Sequence, residues 1–142
     1  MRIVADTNII VSALFWQKQL SKFSELVNKR KIVLRFSPDT ITELNRVIFY
    51  PAIKTKIEKE NLNPVSLIDN LIAASLIVHP TVQVSVIKED TSDNMFLSCA
   101  LAAEASFIVS GDKHLLKLKT FSGMPIITPA QFIKIISQKK KP

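Results

Sequence analysis

Asp6 stands one residue past a short apolar run, Ile3-Val4-Ala5, and Asp112 stands three residues past another, Phe107-Ile108-Val109. Between them in sequence lie Glu43, in the first turns of a helical stretch behind a further apolar run, and Asp93, at the start of another stretch of helical spacing. If the two runs are neighbouring strands of a parallel sheet, Asp6 and Asp112 open on one crevice, because such sheets gather ligands outside their carboxyl ends where strand order reverses. Four carboxylates brought together repel, and each raises the proton affinity of the others unless a cation offsets them. A hard divalent ion such as Mg²⁺ or Mn²⁺ prefers oxygen ligands of this kind and keeps waters of its own. The chemistry that follows is phosphodiester hydrolysis, in which the ion acidifies a water, aligns it, and stabilises charge on the leaving oxygen. Singly, each acid also has a local use: Asp6 or Asn8 as a helix cap, Asp93 at a helix N-terminus, Glu43 on a solvated face, Asp112 in its turn.

The elements that must position these acids follow from apolar spacing. Ile3–Ala5 reads as a strand, Ile9 to Phe15 as a helix, and Leu20 to Asn28 as a second helix ending at the basic knot Lys29-Arg30-Lys31. Ile32 to Phe36 is the second strand, and Ser37-Pro38 then caps a helix reaching about Phe49. Tyr50-Pro51 opens a lysine-rich helix through Glu60, and Asn63-Pro64 opens another from Val65 to about Ile77. The third strand is either Leu76–His79 or the alternating Val82–Val86. Ser92 is placed to cap the helix of Met95, Phe96, Cys99, Ala100 and Ala103, which leads into the strand Phe107–Val109. Ser110-Gly111-Asp112 turns into a short helix, Pro125–Ile127 is a last strand, and Thr128-Pro129 caps a terminal helix to about Ser137. Strands that are unbroken apolar runs separated by helices describe an α/β protein with a parallel sheet buried on both faces.

With 142 residues, 47% of them hydrophobic and 22% charged, the chain has the size and apolar content of one ordinary domain. A single cysteine excludes disulfide staples and Cys-ligated zinc and suits a reducing cytoplasm. No apolar run approaches the roughly 18 residues of a membrane span, so neither a signal peptide nor a membrane segment is expected. The formal net charge is +7, and setting the four acids aside leaves 19 basic residues against 8 acidic ones. An acidic hole in a cationic surface suits metal-assisted cutting of a polyanion.

Taken in order, Asp6-Thr7-Asn8, the Ser37-Pro38 helix with Thr42-Glu43-Leu44, the start of the Asp93-Asn94-Met95-Phe96-Leu97 helix, and Ser110-Gly111-Asp112 resemble a PIN-domain nuclease. Among these the chain most resembles VapC-like toxins of prokaryotic toxin–antitoxin systems, from Arg2 to the terminal helix. The resemblance implies a three-layer α/β/α fold with a central parallel sheet of four to five strands and a helical arm. One domain would span residues 1–137, followed by a basic tail over 138–142. It further implies a metal-dependent endoribonuclease whose Asp6, Glu43, Asp93 and Asp112 are catalytic and bind Mg²⁺ or Mn²⁺, with Asn8, Asp90 and Ser110 as outer groups that orient them. Asp90 is equally readable as a loop residue before the Ser92 cap. The implied partners are an RNA substrate, a cognate antitoxin protein and a second copy of the chain, with no membrane.

The chain departs from that pattern at Phe15-Trp16-Gln17-Lys18, where relatives carry a small glycine-containing turn, and at His114, where they often carry another acid. Phe15 and Trp16 read as a stacking platform or a dimer surface, Cys99 as core, and His114 as a helix-start residue. Lys54, Lys56 and Lys59, and Lys113, Lys117 and Lys119, are candidate phosphate-tracking faces or solvated helix faces. A PIN-like module that binds RNA or protein without cutting is the alternative. A phospho-acceptor reading fits badly, since Asn8 stands where a haloacid-dehalogenase-like fold wants an aspartate and Thr128-Pro129 where a receiver-like fold wants a lysine.

Overall fold

The computed structural model describes residues 1–15, 22 and 25–139. Strand β1 (Arg2–Ala5) leads into helix α1 (Thr7–Phe15), and β2 (Val33–Phe36) into α2 (Pro38–Ile48), α3 (Pro51–Lys59) and α4 (Pro64–Ala73). After β3 (Leu76–Ile77), a 3₁₀ turn (Thr91–Asp93) opens α5 (Asn94–Ala103), followed by β4 (Phe107–Val109) and the short α6 (Lys113–Leu116). The hairpin β5 (Thr120–Phe121) and β6 (Met124–Ile127) precedes α7 (Pro129–Lys139). Leu20, Phe23 and Trp16 lie outside the described residues; residues 25–28 are helical and Leu26 is buried. Residues 140–142 of the expected tail also lie outside, and α7 continues to Lys139, two residues past Ser137.

The strands are ordered β3-β2-β1-β4-β6-β5. All neighbours are parallel except β5 and β6, which are antiparallel. The sheet thus has six strands where four to five were expected. The extra one is β5, a two-residue edge strand too short to leave a periodic trace; it exists because Ser122 (φ 50°) and Gly123 (φ 79°) form the two-residue, positive-φ connection that suits a hairpin's twist.

Successive residues of β1 serve different cores. Ile3 and Ala5 pack with Ile9, Leu34, Phe36, Leu44, Ile48, Val109 and Phe132 on one side of the sheet. Val4 packs with Ile108, Phe96, Leu97, Cys99, Ala100 and Leu115 on the other. Both faces are covered, which is why the strands read as continuous apolar runs. The α3–α4 helical arm is anchored rather than free: Ile57 is fully buried in the first core and Ile68 nearly so. Burying the Ile57 side chain contributes about 1.5–3 kcal/mol. No helix of the described residues is long and apolar enough to cross a membrane.

The expected caps hold at Ser37, whose Oγ accepts from the Thr40 N–H while Thr40 Oγ1 accepts from the Ser37 N–H. Thr128 and Gln131 form the same reciprocal pair before α7. Two expectations are corrected and one open choice is decided. The helix from residue 65 stops at Ala73 rather than Ile77, because Ile77 pairs with Phe36 in the sheet and the Ser75 hydroxyl donates back to Leu71 O at 2.7 Å. Of the two candidates for the third strand it is Leu76–Ile77; residues 82–86 are irregular because α5 side chains take their backbone donors, Ser98 Oγ that of Val84 and Asn94 Oδ1 that of Val86. The cap ahead of α5 is Asp90, not Ser92: Asp90 Oδ1 accepts from both the N–H (3.2 Å) and the hydroxyl (2.5 Å) of Ser92.

Candidate active site

Strand order reverses beside β1: the chain moves out through β2 and β3, then returns to place β4 on the opposite side of β1. The crevice at the carboxyl ends of β1 and β4 is therefore where ligands of an open α/β sheet collect. Asp6 is fastened to it by its own backbone, whose N–H donates to Val109 O at 3.1 Å and continues the β1–β4 ladder. Its Oδ1 accepts from the Ile9 N–H at 2.9 Å and so caps α1. Its Oδ2 accepts from the Ser110 hydroxyl and from the Gly111 N–H at 3.3 Å. Burial raises the Asp6 carboxyl above the ordinary carboxylate range, and these donors pull the other way.

Ser110 is completely buried. Its hydroxyl donates to Asp6 and accepts from the Asp112 N–H at 2.9 Å, so one side chain spaces two acids that lie near opposite ends of the chain. Asp112 caps α6 in turn, with Oδ1 accepting from the N–H groups of His114 (2.7 Å) and Leu115 (3.4 Å). Asp6 and Asp112 thus keep the cap roles read for them in isolation while facing the same crevice.

The 3₁₀ turn and α5 bring in the other acids. Carboxylate oxygens of Asp90, Asp93 and Asp112 lie within 4.8 Å of one another. Asp93 is only 6% exposed, and its Oδ2 is buried without a hydrogen-bond partner. Its carboxyl is pushed up to about 7, first by burial, then by hydrogen bonding with the Asp112 carboxyl, then by the charges of Asp112, Asp90 and Asp6. An orphaned buried carboxylate oxygen inside a cluster of like charges calls for a cation, and the all-oxygen donor set suits a hard divalent one. The residues present fit such an ion.

Of the four acids expected to meet, Asp6, Asp93 and Asp112 converge, and Asp90 joins them more closely than its expected outer position suggests. Neither Asp6 nor Glu43 is one of the three acids whose oxygens lie within 4.8 Å of one another; Asp6 joins them through Ser110. The Glu43 carboxylate is held bidentately by Arg46, Nη2 to Oε1 at 2.6 Å and Nε to Oε2 at 3.0 Å. It rides on α2, which packs against both α1 and α5. Asn8 is exposed on the first turn of α1, and Asp6 is supported instead by Ile9, Ser110 and Gly111.

Two residues with a part in the site were not singled out from sequence. Asn94 is buried; its Oδ1 accepts from Val86 N (3.1 Å) and Ile87 N (2.9 Å), and its Nδ2 donates to Ile87 O (2.9 Å) and Thr91 O (3.1 Å). It clamps the loop that delivers Asp90. A polar residue in an apolar helix directly after an acid was the available signal. Arg46 was overlooked as one basic residue among 19, although its position three after Glu43 is the spacing of a helical ion pair. At the rim, Lys113, Lys117 and Lys119 are exposed, and Lys117 and His114 act electrostatically on Glu89, next to Asp90.

No curated protein matches the chain. Among solved structures, its fold is similar to a chain in the crystal structure of VapBC2 from Rickettsia felis bound to a DNA fragment from their promoter. The TM-score is 0.59 at 15% identity, over 89% of this chain and 97% of that one. The family model described as PIN domain matches residues 2–114, a span that holds Asp6, Glu43, Asp90, Asp93, Ser110 and Asp112. By that match the chain belongs to the PIN-domain family.

Proposed function

We propose that this PIN domain is a metal-dependent endoribonuclease, the VapC-like toxin of a toxin–antitoxin pair. The observation that carries the reading is the meeting of the Asp90, Asp93 and Asp112 carboxylates, with Asp6 tied to Asp112 through Ser110 and one Asp93 oxygen unpartnered. Asp6, Asp93 and Asp112 would hold a Mg²⁺ or Mn²⁺ ion, Asp90 completes the acidic wall, and Glu43 contributes from the α2 side once Arg46 releases it. Bound there, the ion would supply an acidified, oriented water and offset the charge that develops on the scissile phosphate.

The chain's own groups prepare that chemistry. Ser110 and the Gly111 N–H fix Asp6 so that its carboxylate need not reorganise on loading. Asp93, with its carboxyl near 7, holds a proton against Asp112 in the unloaded crevice and gives it up when a cation enters. Lys113 and Lys117 at the rim, within a chain of net charge +7, attract the phosphodiester backbone.

RNA as substrate and an antitoxin protein as partner rest on the family resemblance and on the fold shared with a protein of the VapBC2 complex. Self-association belongs to the same proposal, supported by the exposed Leu62 and Val65 on the α3–α4 arm; Trp16 lies outside the described residues. Action in the cytoplasm accords with one buried cysteine whose thiol burial pushes up to about 11.

The test is cleavage of single-stranded RNA with Mg²⁺ or Mn²⁺, with and without EDTA, by wild type and Asp6→Asn. Cleavage requiring both the metal and Asp6 is expected; cleavage that survives chelation and substitution overturns the mechanism. The Glu43–Arg46 pair is the observation that favours a non-catalytic binding module. That module would bind RNA with no coupling to Mg²⁺ and no dependence on Asp93.

A further inference from the structure

Beyond Glu43, α2 carries Arg46 one turn on, and the chain leaves the helix through its C-cap Phe49 into Tyr50, which opens α3. Phe49 and Tyr50 close the helix with two adjacent aromatic side chains that are 41% and 42% exposed. Neither lies in the two cores that take up the buried aromatics Phe36, Phe96 and Phe132. The Arg46 guanidinium sits 5.1 Å from the Tyr50 ring centroid while it holds Glu43. A guanidinium fork that grips a carboxylate bidentately matches a phosphate equally well. Lys54, half exposed and 3.9 Å from Glu58 Oε1, lies in the first turn of α3, where its backbone N–H donates to Tyr50 O at 2.8 Å.

We propose that Phe49 and Tyr50, with Arg46 beside them, form a base-stacking subsite that holds single-stranded nucleic acid on the α2 side of the acidic crevice. Exposed rings flanked by cations are how proteins hold single strands without reading their sequence, since every base offers a π-face. Charge complementarity selects this occupant over a protein segment, because Arg46 lies against the Tyr50 ring in a chain of net charge +7. A backbone phosphate taken by Arg46 would also release Glu43 towards the crevice, coupling substrate binding to completion of the site. This assignment rests on the nuclease reading for its purpose, but not for its measurement.

The experiment is fluorescence anisotropy of a labelled single-stranded oligoribonucleotide in EDTA, where binding is read without hydrolysis. Tyr50→Ala and Phe49→Ala are each expected to raise Kd by about 5- to 150-fold, the range for one lost base–aromatic stack. Tyr50→Phe retains wild-type affinity, and Tyr50→Ala binds fully paired duplex RNA as wild type does, because paired bases offer no free face. Wild-type affinity of Tyr50→Ala for the single strand overturns the subsite. So does equal loss in Tyr50→Phe, equal loss on duplex RNA, or a Tyr50→Ala chain that instead fails to self-associate in sedimentation. Cleavage assays with Mg²⁺ separate the two readings. A wild type that cuts, with KM unchanged in Tyr50→Ala, removes the subsite and leaves the nuclease. Tyr50-dependent binding without metal-dependent cutting removes the nuclease and leaves the subsite.

Discussion

Replacing Asp93 with asparagine should stabilise the metal-free protein, although it removes a central member of the site. Raising this carboxyl from its ordinary 3.8 to about 7 corresponds to about 4 kcal/mol between its neutral and ionised forms. Solvent screening in the crevice reduces the net penalty to about 1–2 kcal/mol. For a domain of this size that is about 3–6 °C in Tm. The sign follows from linkage. The native carboxyl binds its proton more tightly than the unfolded one, so its contribution is fully present below about 3.8 and is lost as pH rises towards about 7. The replacement amide is neutral at every pH and can donate to Asp112 as the protonated acid does. The advantage of Asp93→Asn should therefore be near zero at about pH 4, grow with pH, and level off above about 7. Thermal melts of both proteins in EDTA across that range measure it, and a repeat with Mg²⁺ should raise the wild-type midpoint while leaving Asp93→Asn unmoved. A variant less stable than wild type at alkaline pH, or a difference that does not vary with pH, would refute the crowding argument.

Ser110→Ala leaves Asp6 without its hydroxyl donor and unties it from Asp112; Mg²⁺ affinity by isothermal titration should fall about tenfold, as for other lost supports of ligands. Asn94→Ala removes four hydrogen bonds at a buried position, and urea unfolding should show a loss of about 2–4 kcal/mol with faster proteolysis of the 82–90 loop; a loss under about 1 kcal/mol would mean that the loop holds itself. Glu43→Gln should leave Tm almost unchanged, because its ion pair is surface exposed, yet lower RNA cleavage at least about tenfold if Glu43 joins the site on substrate binding. Unaltered cleavage would confine the machinery to the four aspartates.

The parallel α/β class was legible because β1, β2 and β4 are apolar on both faces, a property local to each strand and independent of its neighbours. The caps at Ser37 and Thr128 were equally legible, since a cap and its partner lie three residues apart. The cap before α5 was misplaced because Asp90 and Ser92 are both competent and only the fold of the turn decides which accepts. The third strand and the end of α4 could not be resolved locally: Leu76 and Ile77 are strand because β2 is beside them, and residues 82–86 are not strand because Asn94 and Ser98 reach them first.

The site divides along the same line. The amino-acid order by itself determined that Asp6 and Asp112 follow buried strands and must open at the same edge, because strand direction and helix crossover leave a parallel sheet no other arrangement. Tertiary structure alone decided how the acids are grouped. Asp90 is drawn in by the loop that Asn94 holds, and Ser110 spans Asp6 and Asp112. Glu43 is gripped by Arg46, one turn on along α2. Those outcomes depend on distances of a few ångströms between side chains remote in sequence, and such distances are set by packing, which no spacing along the chain encodes.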